Sequence, residues 1–227
     1  MAEIILALDV DSADAGRRLL DRLPSLRWVK VGSVLMTREG APFIAELRTR
    51  GLQVFLDLKW HDIPSTVAGA VEAAASLGVA MATVHTLGGA AMLEAAQAAA
   101  GKVGLVGVTV LTSHDPGGYA AAIGRGGVDV EAEVSRLAGV AGAAGFRGVV
   151  CSPAEISVVR SVLGPEAWVV VPGIRRVADA AGDQVRIATP REAVARGATH
   201  LVVGRPISKA ADPAAVLSEL AGEAGAA

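Results

Sequence analysis

The sequence predicts an α/β protein, a (β/α)8 (TIM) barrel that forms a single domain over residues 1–227. Short β-branched runs alternate with longer Ala-, Leu-, Arg- and Glu-rich segments, and this alternation repeats eight times. Such alternation requires parallel strands joined by helical crossovers. No stretch has the composition of a linker, so the units belong to one domain. The rival fold, a doubly wound open sheet, usually has fewer strands, and no GxGxxG motif follows the first strand here.

Local signals define the first four units. Ser12 is a plausible N-cap for the first helix, which Pro24 stops, and Gly51 and Gly78 close the second and third helices. We expect strands at residues 4–9, 27–32, 53–59 and 80–85, and helices at residues 12–23, 38–50, 65–77 and 90–100.

The last four units include two irregular stretches. We expect strands at residues 103–111, 148–151, 168–171 and 200–203, and helices at residues 131–144, 153–163, 190–196 and 213–220. The stretches 112–127 and 172–189 carry neither pattern, which makes them the candidate lids of a site. An Ala/Gly-rich tail follows Leu220 and is expected to fray.

Composition excludes several classes of protein. Hydrophobic residues make up 52% and charged residues 19% of the chain, which supports a large core and argues against disorder. The net charge is −2 without a long basic run, which argues against nucleic acid as a partner. No uncharged apolar run approaches the roughly 20 residues that span a membrane. Cys151 is the only cysteine, so an intrachain disulfide is impossible and a cytoplasmic location is expected.

The most informative segment is residues 54–67, where an apolar strand carries charges. Asp57 and Lys59 lie two residues apart, so they project from the same face of that strand. Ionised groups are expensive to bury, and a core built for stability alone would omit them. Asp62 follows beyond the strand, and Pro64 suits the first turn of a helix. The segment therefore predicts a functional site.

Other polar residues are expected to converge on the same place, because active sites of these barrels lie at the C-terminal ends of the strands. The residues at or just beyond predicted strand ends are Asp9, Lys30, Asp57, Lys59, His85, Thr112, Arg175, Gln184, Gly204 and Arg205. Some have purely structural explanations: Asp9 could cap the first helix, His85 could be hydrogen-bonded at its strand end, and Thr112 could bond the loop backbone. The paired charges on strand three have no comparable explanation.

Two Gly/Arg elements predict an anion site. Residues 172–175 (PGIR) follow strand seven and residues 203–207 (VGRPI) follow strand eight, where barrels of this class usually bind phosphate. Gly204 allows backbone N–H groups to approach an anion, and Arg205 offers a bidentate guanidinium.

The sequence resembles the orotidine 5'-monophosphate decarboxylase family along nearly its whole length. The motifs are ALDVDS (7–12), VKVG (29–32), DLKWHDIPSTV (57–67), VH (84–85), VTVLTS (108–113), VVCSP (149–153), PGIR (172–175), AGDQ (181–184) and VVGRPI (202–207). The resemblance implies decarboxylation of orotidine 5'-monophosphate (OMP) to uridine 5'-monophosphate (UMP). The resemblance also implies that the active form is a homodimer with shared active sites. No cofactor motif appears in the sequence, so neither a cofactor nor a metal is expected.

The resemblance further implies a role for each site residue. Lys59 would protonate C6 of the pyrimidine, Asp57 would lie against the substrate carboxylate, and Lys30 would join their charge network. Asp62 would complete that network from the partner subunit. The substrate-binding residues implied are Asp9 and Lys30 for the ribose, Thr112 near the base, Ile63 and Thr66 from the partner, and Arg175, Gln184, Gly204 and Arg205 for the phosphate.

Three alternatives stay open. A Mg²⁺-dependent sugar-phosphate decarboxylase or aldolase shares the DxKxxD pattern, although residues 63–66 (IPST) favour the nucleotide enzyme. A Schiff base at Lys59 needs a deprotonated amine, which two flanking carboxylates disfavour. A non-catalytic nucleotide-binding protein would keep the phosphate grip but would not need both Asp57 and Lys59.

Overall fold

The computed structural model describes residues 2–176 and 188–225. Its strands close into one parallel barrel in chain order, and the eighth strand pairs with the first. The strands are β1 (Glu3–Ala7), β2 (Trp28–Gly32), β3 (Gln53–Trp60), β4 (Met81–His85), β5 (Gly104–Val108), β6 (Gly148–Val150), β7 (Trp168–Val171) and β8 (His200–Val203). The predicted fold class is therefore confirmed.

Helices follow the strands along the chain. They are α1 (Ala13–Leu20), α2 (Ser33–Thr49), α3 (Pro64–Ser76), α4 (Gly89–Ala99), α5 (Pro116–Ala122), α6 (Val130–Ala143), α7 (Ile156–Leu163), α8 (Pro190–Ala195), α9 (Arg205–Ser208) and α10 (Pro213–Glu223), with 3-10 turns at Thr86–Gly88 and Pro153–Glu155. Ser12 caps α1 as predicted, because its side chain accepts a hydrogen bond from the N–H of Ala15. Pro64 lies in the first turn of α3, also as predicted.

Strand alternation decides which side chains fill the barrel. The buried inner cluster consists of Ile5, Ala7, Trp28, Phe55, Met81, Val106, Val170 and Val202. Trp168 packs against this cluster, and its ring centroid lies 5.0 Å from that of His200. Gly104 makes room for the indole, since a Cβ there would lie 2.2 Å from a ring atom of Trp168. Because Lys30 and Asp57 come two residues after Trp28 and Phe55, they point inward above this apolar floor.

Two expectations were wrong in the N-terminal and central parts of the chain, one about where a helix begins and one about a stretch without helix. Helix α2 begins at Ser33 rather than at residue 38, and Gly40 interrupts it with a φ of 65° two residues before Pro42. Within the stretch expected to be irregular, α5 forms because Asp115 accepts a hydrogen bond from the N–H of Gly118, and Pro116 fits the first turn.

Two further differences lie near the C-terminus. A one-turn helix, α9, directly follows β8 where no helix was expected. Helix α10 continues to Glu223, and Ala224 is buried, so the chain is helical beyond Leu220, where fraying was expected. Alanine favours helix, and burial of Leu220 and Ala224 against the barrel stabilises the added turn.

Candidate active site

Three charged side chains from β2 and β3 meet inside the mouth of the barrel. Lys59 Nζ lies 2.9 Å from Asp57 Oδ1, and Lys30 Nζ lies 3.6 Å from Asp57 Oδ2. The side chains of Asp57 and Lys30 are only 13% and 12% exposed. The prediction that Asp57 and Lys59 project side by side is therefore confirmed. One carboxylate contacts two ammonium groups, and this attraction offsets part of the free energy needed to remove the charges from water.

Asp9 extends the cluster toward solvent. Its Oδ1 accepts a hydrogen bond from Lys30 Nζ at 3.0 Å, and its side chain is 66% exposed. It is therefore an ion-pair partner of Lys30 at the end of β1, whereas the cap of α1 is Ser12. The resulting order is carboxylate, ammonium, carboxylate, ammonium across three neighbouring strands.

The backbone beneath this cluster departs from regular strand geometry. Lys59 has a φ of 53°, and it is the only non-glycine residue with positive φ in the two described ranges. Between Leu56 and Trp60 the pairing of β3 with β4 shifts register. The N–H of Lys59 donates to Thr83 Oγ1 at 2.8 Å, and Thr83 Oγ1 donates to Asp57 Oδ1 at 3.1 Å.

Thr83 was not among the predicted site residues. A signal for it existed, because it precedes His85 by two residues on β4 and therefore shares the inward face of that strand. Its complete burial and its contact with the charged pair are visible only in the folded chain.

Two cavities adjoin the charged cluster. One has a volume of about 310 Å³, and its wall includes the polar residues Asp9, Asp11 and Ser33. The other has a volume of about 160 Å³ and is mainly apolar. Its wall consists of Phe55, Val108, Val110, Leu111, Thr112, Val150, Cys151, Pro172 and Val202 together with the cluster. Lys30, Asp57 and Lys59 line both cavities, so a ligand occupying the two would pass directly over these side chains.

The remaining strand-end residues near the cavities are structural in the described chain. His85 Nδ1 accepts a hydrogen bond from the N–H of Leu87 at 3.4 Å, and its ring stacks on His61 with centroids 5.3 Å apart. Burial, aided by the electrostatic effect of the neighbouring His61 and Lys59, lowers the pKa of His85 to about 4. Burial raises the pKa of the Cys151 thiol, so that residue forms a neutral apolar part of the cavity wall.

The predicted anion-binding residues are only partly assembled. Gly204 and the exposed Arg205 lie at the junction of β8 and α9, at the mouth. Arg175 is buried, and its guanidinium donates to the carbonyl of Ile174 at 3.0 Å. The walls of the two cavities do not include Arg175. Gln184 lies outside the described residues.

Asp62, Ile63 and Thr66 lie on the surface at the start of α3. Asp62 Oδ1 accepts a hydrogen bond from the N–H of Ile63 at 2.6 Å, and Ile63 is 63% exposed. Within the part of the chain that the structure describes, Asp62 forms no ion pair with the charged cluster.

Two features are absent from the described residues. No group of three or more His, Cys, Asp or Glu side chains in residues 2–176 and 188–225 is arranged to hold a metal ion. Over the same ranges, no helix combines the length and the apolar character needed to cross a membrane.

The chain is similar to a set of known proteins over almost its full length. Residues 2–220 match the family described as "Orotidine 5'-phosphate decarboxylase / HUMPS family". A protein of Halorhodospira halophila named "Orotidine 5'-phosphate decarboxylase" is 51% identical over 99% of this chain and 96% of its own. One of the same name from Dichelobacter nodosus is 49% identical over 96% of each chain. The crystal structure of the decarboxylase of that name from Lactobacillus acidophilus superposes with a TM-score of 0.88 at 34% identity, covering 99% of both chains.

Proposed function

The chain belongs to the orotidine 5'-phosphate decarboxylase family, and from this membership we propose how its barrel mouth converts OMP to UMP. The enzyme is a carbon–carbon lyase of pyrimidine biosynthesis. The observation that carries the assignment of roles is the 2.9 Å contact between Lys59 and Asp57 at a point where two cavities meet.

The reaction places an unusual demand on the protein. When the bond between C6 and the carboxylate carbon breaks, its electron pair stays on C6 and CO₂ leaves. No carbonyl adjacent to C6 delocalises the resulting negative charge. The site must therefore stabilise this charge by electrostatics, with cationic groups already in place where the charge develops.

Lys59 fits this demand. Its ammonium stabilises the electron pair at C6 and then transfers a proton from Nζ to C6, which yields UMP, and solvent restores the proton on Lys59. Asp57 orients the ammonium through the bond between Asp57 Oδ1 and Lys59 Nζ. Asp57 also lies close to the substrate carboxylate, and their repulsion is relieved as neutral CO₂ departs. We assign this ground-state effect a secondary share, because stabilisation of the developing charge acts on the transition state itself.

The two cavities support a binding mode for the nucleotide. The base occupies the apolar cavity beside Thr112, and the ribose occupies the polar cavity, where Asp9 and Lys30 bind its hydroxyls. The phosphate lies at Gly204 and Arg205, joined by Arg175 and Gln184. Binding of the distant phosphate contributes free energy to closure of the stretches 112–127 and 172–189 over the substrate. Residues 177–187 of the second stretch lie outside the described residues.

The active form that we propose is a homodimer in the cytoplasm. Asp62, Ile63 and Thr66 reach the site of the partner subunit, where Asp62 completes the charge network around Lys59. What supports an interface at the start of α3 is the position of Ile63, a large apolar side chain that is 63% exposed directly beside the exposed Asp62. The single cysteine supports a reducing compartment.

Replacement of Lys59 tests this mechanism. We expect Lys59→Ala to abolish turnover of OMP, with a loss of at least about 10⁴-fold in kcat, because charge stabilisation and proton transfer are lost together. UMP binding should be largely preserved. The measurement is the fall in absorbance as OMP is converted to UMP, with UMP affinity from calorimetry.

The control is the wild-type enzyme assayed with and without EDTA and with borohydride. Unchanged activity in EDTA and no trapped adduct are expected. Near-normal turnover by Lys59→Ala would contradict the mechanism. Loss of activity in EDTA would favour the Mg²⁺-dependent sugar-phosphate enzyme, and a reduced covalent adduct would favour a Schiff base.

A further inference from the structure

The pairing of β3 with β4 is irregular at Asp57 and Lys59. Phe55 pairs with Met81 and Leu56 with Ala82, but the next partners are Trp60 and Val84. Three residues of β3 therefore lie opposite a single residue of β4, Thr83. Such a bulge removes regular ladder hydrogen bonds and re-aims the side chains of the longer strand.

The bulge includes the left-handed conformation of Lys59, with a φ of 53°. A residue with a Cβ is strained in the left-handed conformation, so surrounding contacts must hold it there. The contact on the backbone of Lys59 is the hydroxyl of Thr83, which accepts its N–H at 2.8 Å. A side-chain oxygen here replaces the carbonyl that a regular neighbouring strand would provide.

The hydrogen-bond directions at Thr83 follow from the groups involved. An amide N–H can only donate, and an ionised carboxylate can only accept. The one hydroxyl hydrogen of Thr83 therefore goes to Asp57 Oδ1 at 3.1 Å, and its lone pairs receive the N–H of Lys59. Asp57 Oδ1 is the same oxygen that accepts from Lys59 Nζ at 2.9 Å. One buried hydroxyl thus contacts both the backbone of the lysine and the carboxylate that orients its ammonium.

We propose that Thr83 is a positioning residue for the decarboxylation, which holds Lys59 and Asp57 in the geometry that the chemical step needs. The proposal rests on the roles of Lys59 and Asp57 given above. Thr83 does not line the two mouth cavities, so it acts on the reaction only through these two residues.

Other buried threonines near the mouth lack this connection. Thr86 Oγ1 donates to the carbonyl of Val108 at 2.6 Å, and Thr109 Oγ1 donates to the carbonyl of Val150 at 2.9 Å. Both bonds tie the backbone of one strand end to the next. Thr86 therefore provides a matched control: a buried threonine whose hydroxyl is bonded but does not contact the charged cluster.

The test compares Thr83→Val, Thr83→Ser and Thr86→Val in steady-state kinetics with OMP. Valine keeps the shape of threonine but leaves Asp57 and the N–H of Lys59 without this partner. We expect Thr83→Val to lower kcat between about 10- and 100-fold, because a catalytic group displaced by about 1 Å can lose 100-fold in rate. KM and UMP affinity should change less than about threefold, since the ligand contacts remain. Thr83→Ser should restore kcat to within about threefold of the wild type, because its hydroxyl can make both bonds.

Thr86→Val should lower the thermal unfolding midpoint about as much as Thr83→Val does, because each variant loses a buried hydrogen bond. Its kcat should nevertheless stay within about twofold of the wild type. If Thr83→Val does not fold, Thr83→Ala compared with Thr83→Ser provides the same contrast, with alanine slow and serine active. Three outcomes would overturn the proposal: a wild-type kcat in Thr83→Val, a loss confined to KM, or a Thr83→Ser variant as slow as Thr83→Val.

Lys59→Ala in the same assay separates the role of Thr83 from the proposed mechanism. If it is inactive while Thr83→Val is normal, only the role of Thr83 fails; if it is active, the proposed mechanism itself fails.

Discussion

Lys59 combines a strained backbone with the role that we propose for it, stabilisation and protonation of C6. Its φ of 53° lies in a region that favours glycine, yet a glycine there would lack the ammonium. The conformation turns the residue at the end of an inward-facing strand so that its Nζ reaches Asp57. Backbone strain of this kind persists where neighbouring contacts hold it, and here they include Thr83.

His200 is the second residue whose environment has a measurable consequence. It is buried at the floor of the barrel, with its ring centroid 5.4 Å from that of Trp28 and 5.0 Å from that of Trp168. Its Nδ1 lies 2.9 Å from Thr199 Oγ1. Burial lowers the pKa of His200 from 6.5 to about 4, so the folded protein holds it neutral.

We predict that this histidine weakens the folded state in mild acid. Below pH 6.5 the unfolded chain binds a proton at His200 that the folded chain does not, so stability falls as the pH is lowered toward 4. Between pH 7.5 and pH 5 the loss from this group is about 2 kcal/mol of unfolding free energy. His200→Phe should remove that part of the pH dependence in urea unfolding. An unchanged slope in His200→Phe would contradict the assignment.

At the scale of elements, β2, β3 and β8 contribute residues to the candidate site at or near their C-terminal ends. In β2 and β3, inward positions change from the aromatic rings of Trp28 and Phe55 to the charges of Lys30 and Asp57 within one strand repeat. The junction of β8 and α9 has a different proposed role, phosphate binding. Gly204 and Arg205 lie there, directly after a fully buried strand. The phosphate role proposed for this junction can be tested separately from the chemistry.

We predict that Arg205→Ala weakens UMP binding between about 10- and 100-fold, because a guanidinium bound to phosphate forms charge-assisted hydrogen bonds. Uridine has no phosphate, so its affinity should change less than about threefold. The exposed Lys209, at the end of α9, provides the control, and Lys209→Ala should affect neither ligand. Titration calorimetry with both ligands measures the difference. Equal weakening of UMP and uridine would argue against phosphate binding by Arg205.

At the scale of the whole molecule, closure of the barrel brings chain-distant residues to one mouth, and under our proposal a second subunit completes the site there. Asp57 and Lys59 point inward, whereas Asp62, only three residues later, lies on the surface beside the exposed Ile63. One segment therefore places charged side chains both inside the barrel mouth and on the outer surface. This arrangement is expected if each subunit completes the site of the other.

We predict that two inactive variants restore activity when their subunits are mixed. A dimer of one Lys59→Ala subunit and one Asp62→Ala subunit contains one site with both Lys59 and the partner's Asp62. Random exchange of subunits should therefore recover about a quarter of the wild-type activity per subunit. The measurement is OMP turnover after mixing, with mixed dimers verified by copurification through a tag on one variant. Absence of recovery in verified mixed dimers would show that the sites are not shared.

Much of this arrangement follows from local signals. The eight strands, the cap at Ser12, the first turn at Pro64 and the same-face projection of Asp57 and Lys59 all depend on residues close together in the chain. The errors were also local in origin. Asp115 and Pro116 provide a helix start inside a stretch whose glycines suggest a loop, and the break of α2 at Gly40 lies inside a continuous helical pattern.

The sequence by itself determined the barrel and the charged strand, because alternation of polar and apolar residues acts over a few positions. Only the tertiary structure decided the register between β3 and β4, which depends on packing between strands about 25 residues apart in the chain. That register places the hydroxyl of Thr83 against both Asp57 and Lys59. It also sets the backbone from which the ammonium reaches its carboxylate, so the catalytic geometry is a property of the closed barrel rather than of any one segment.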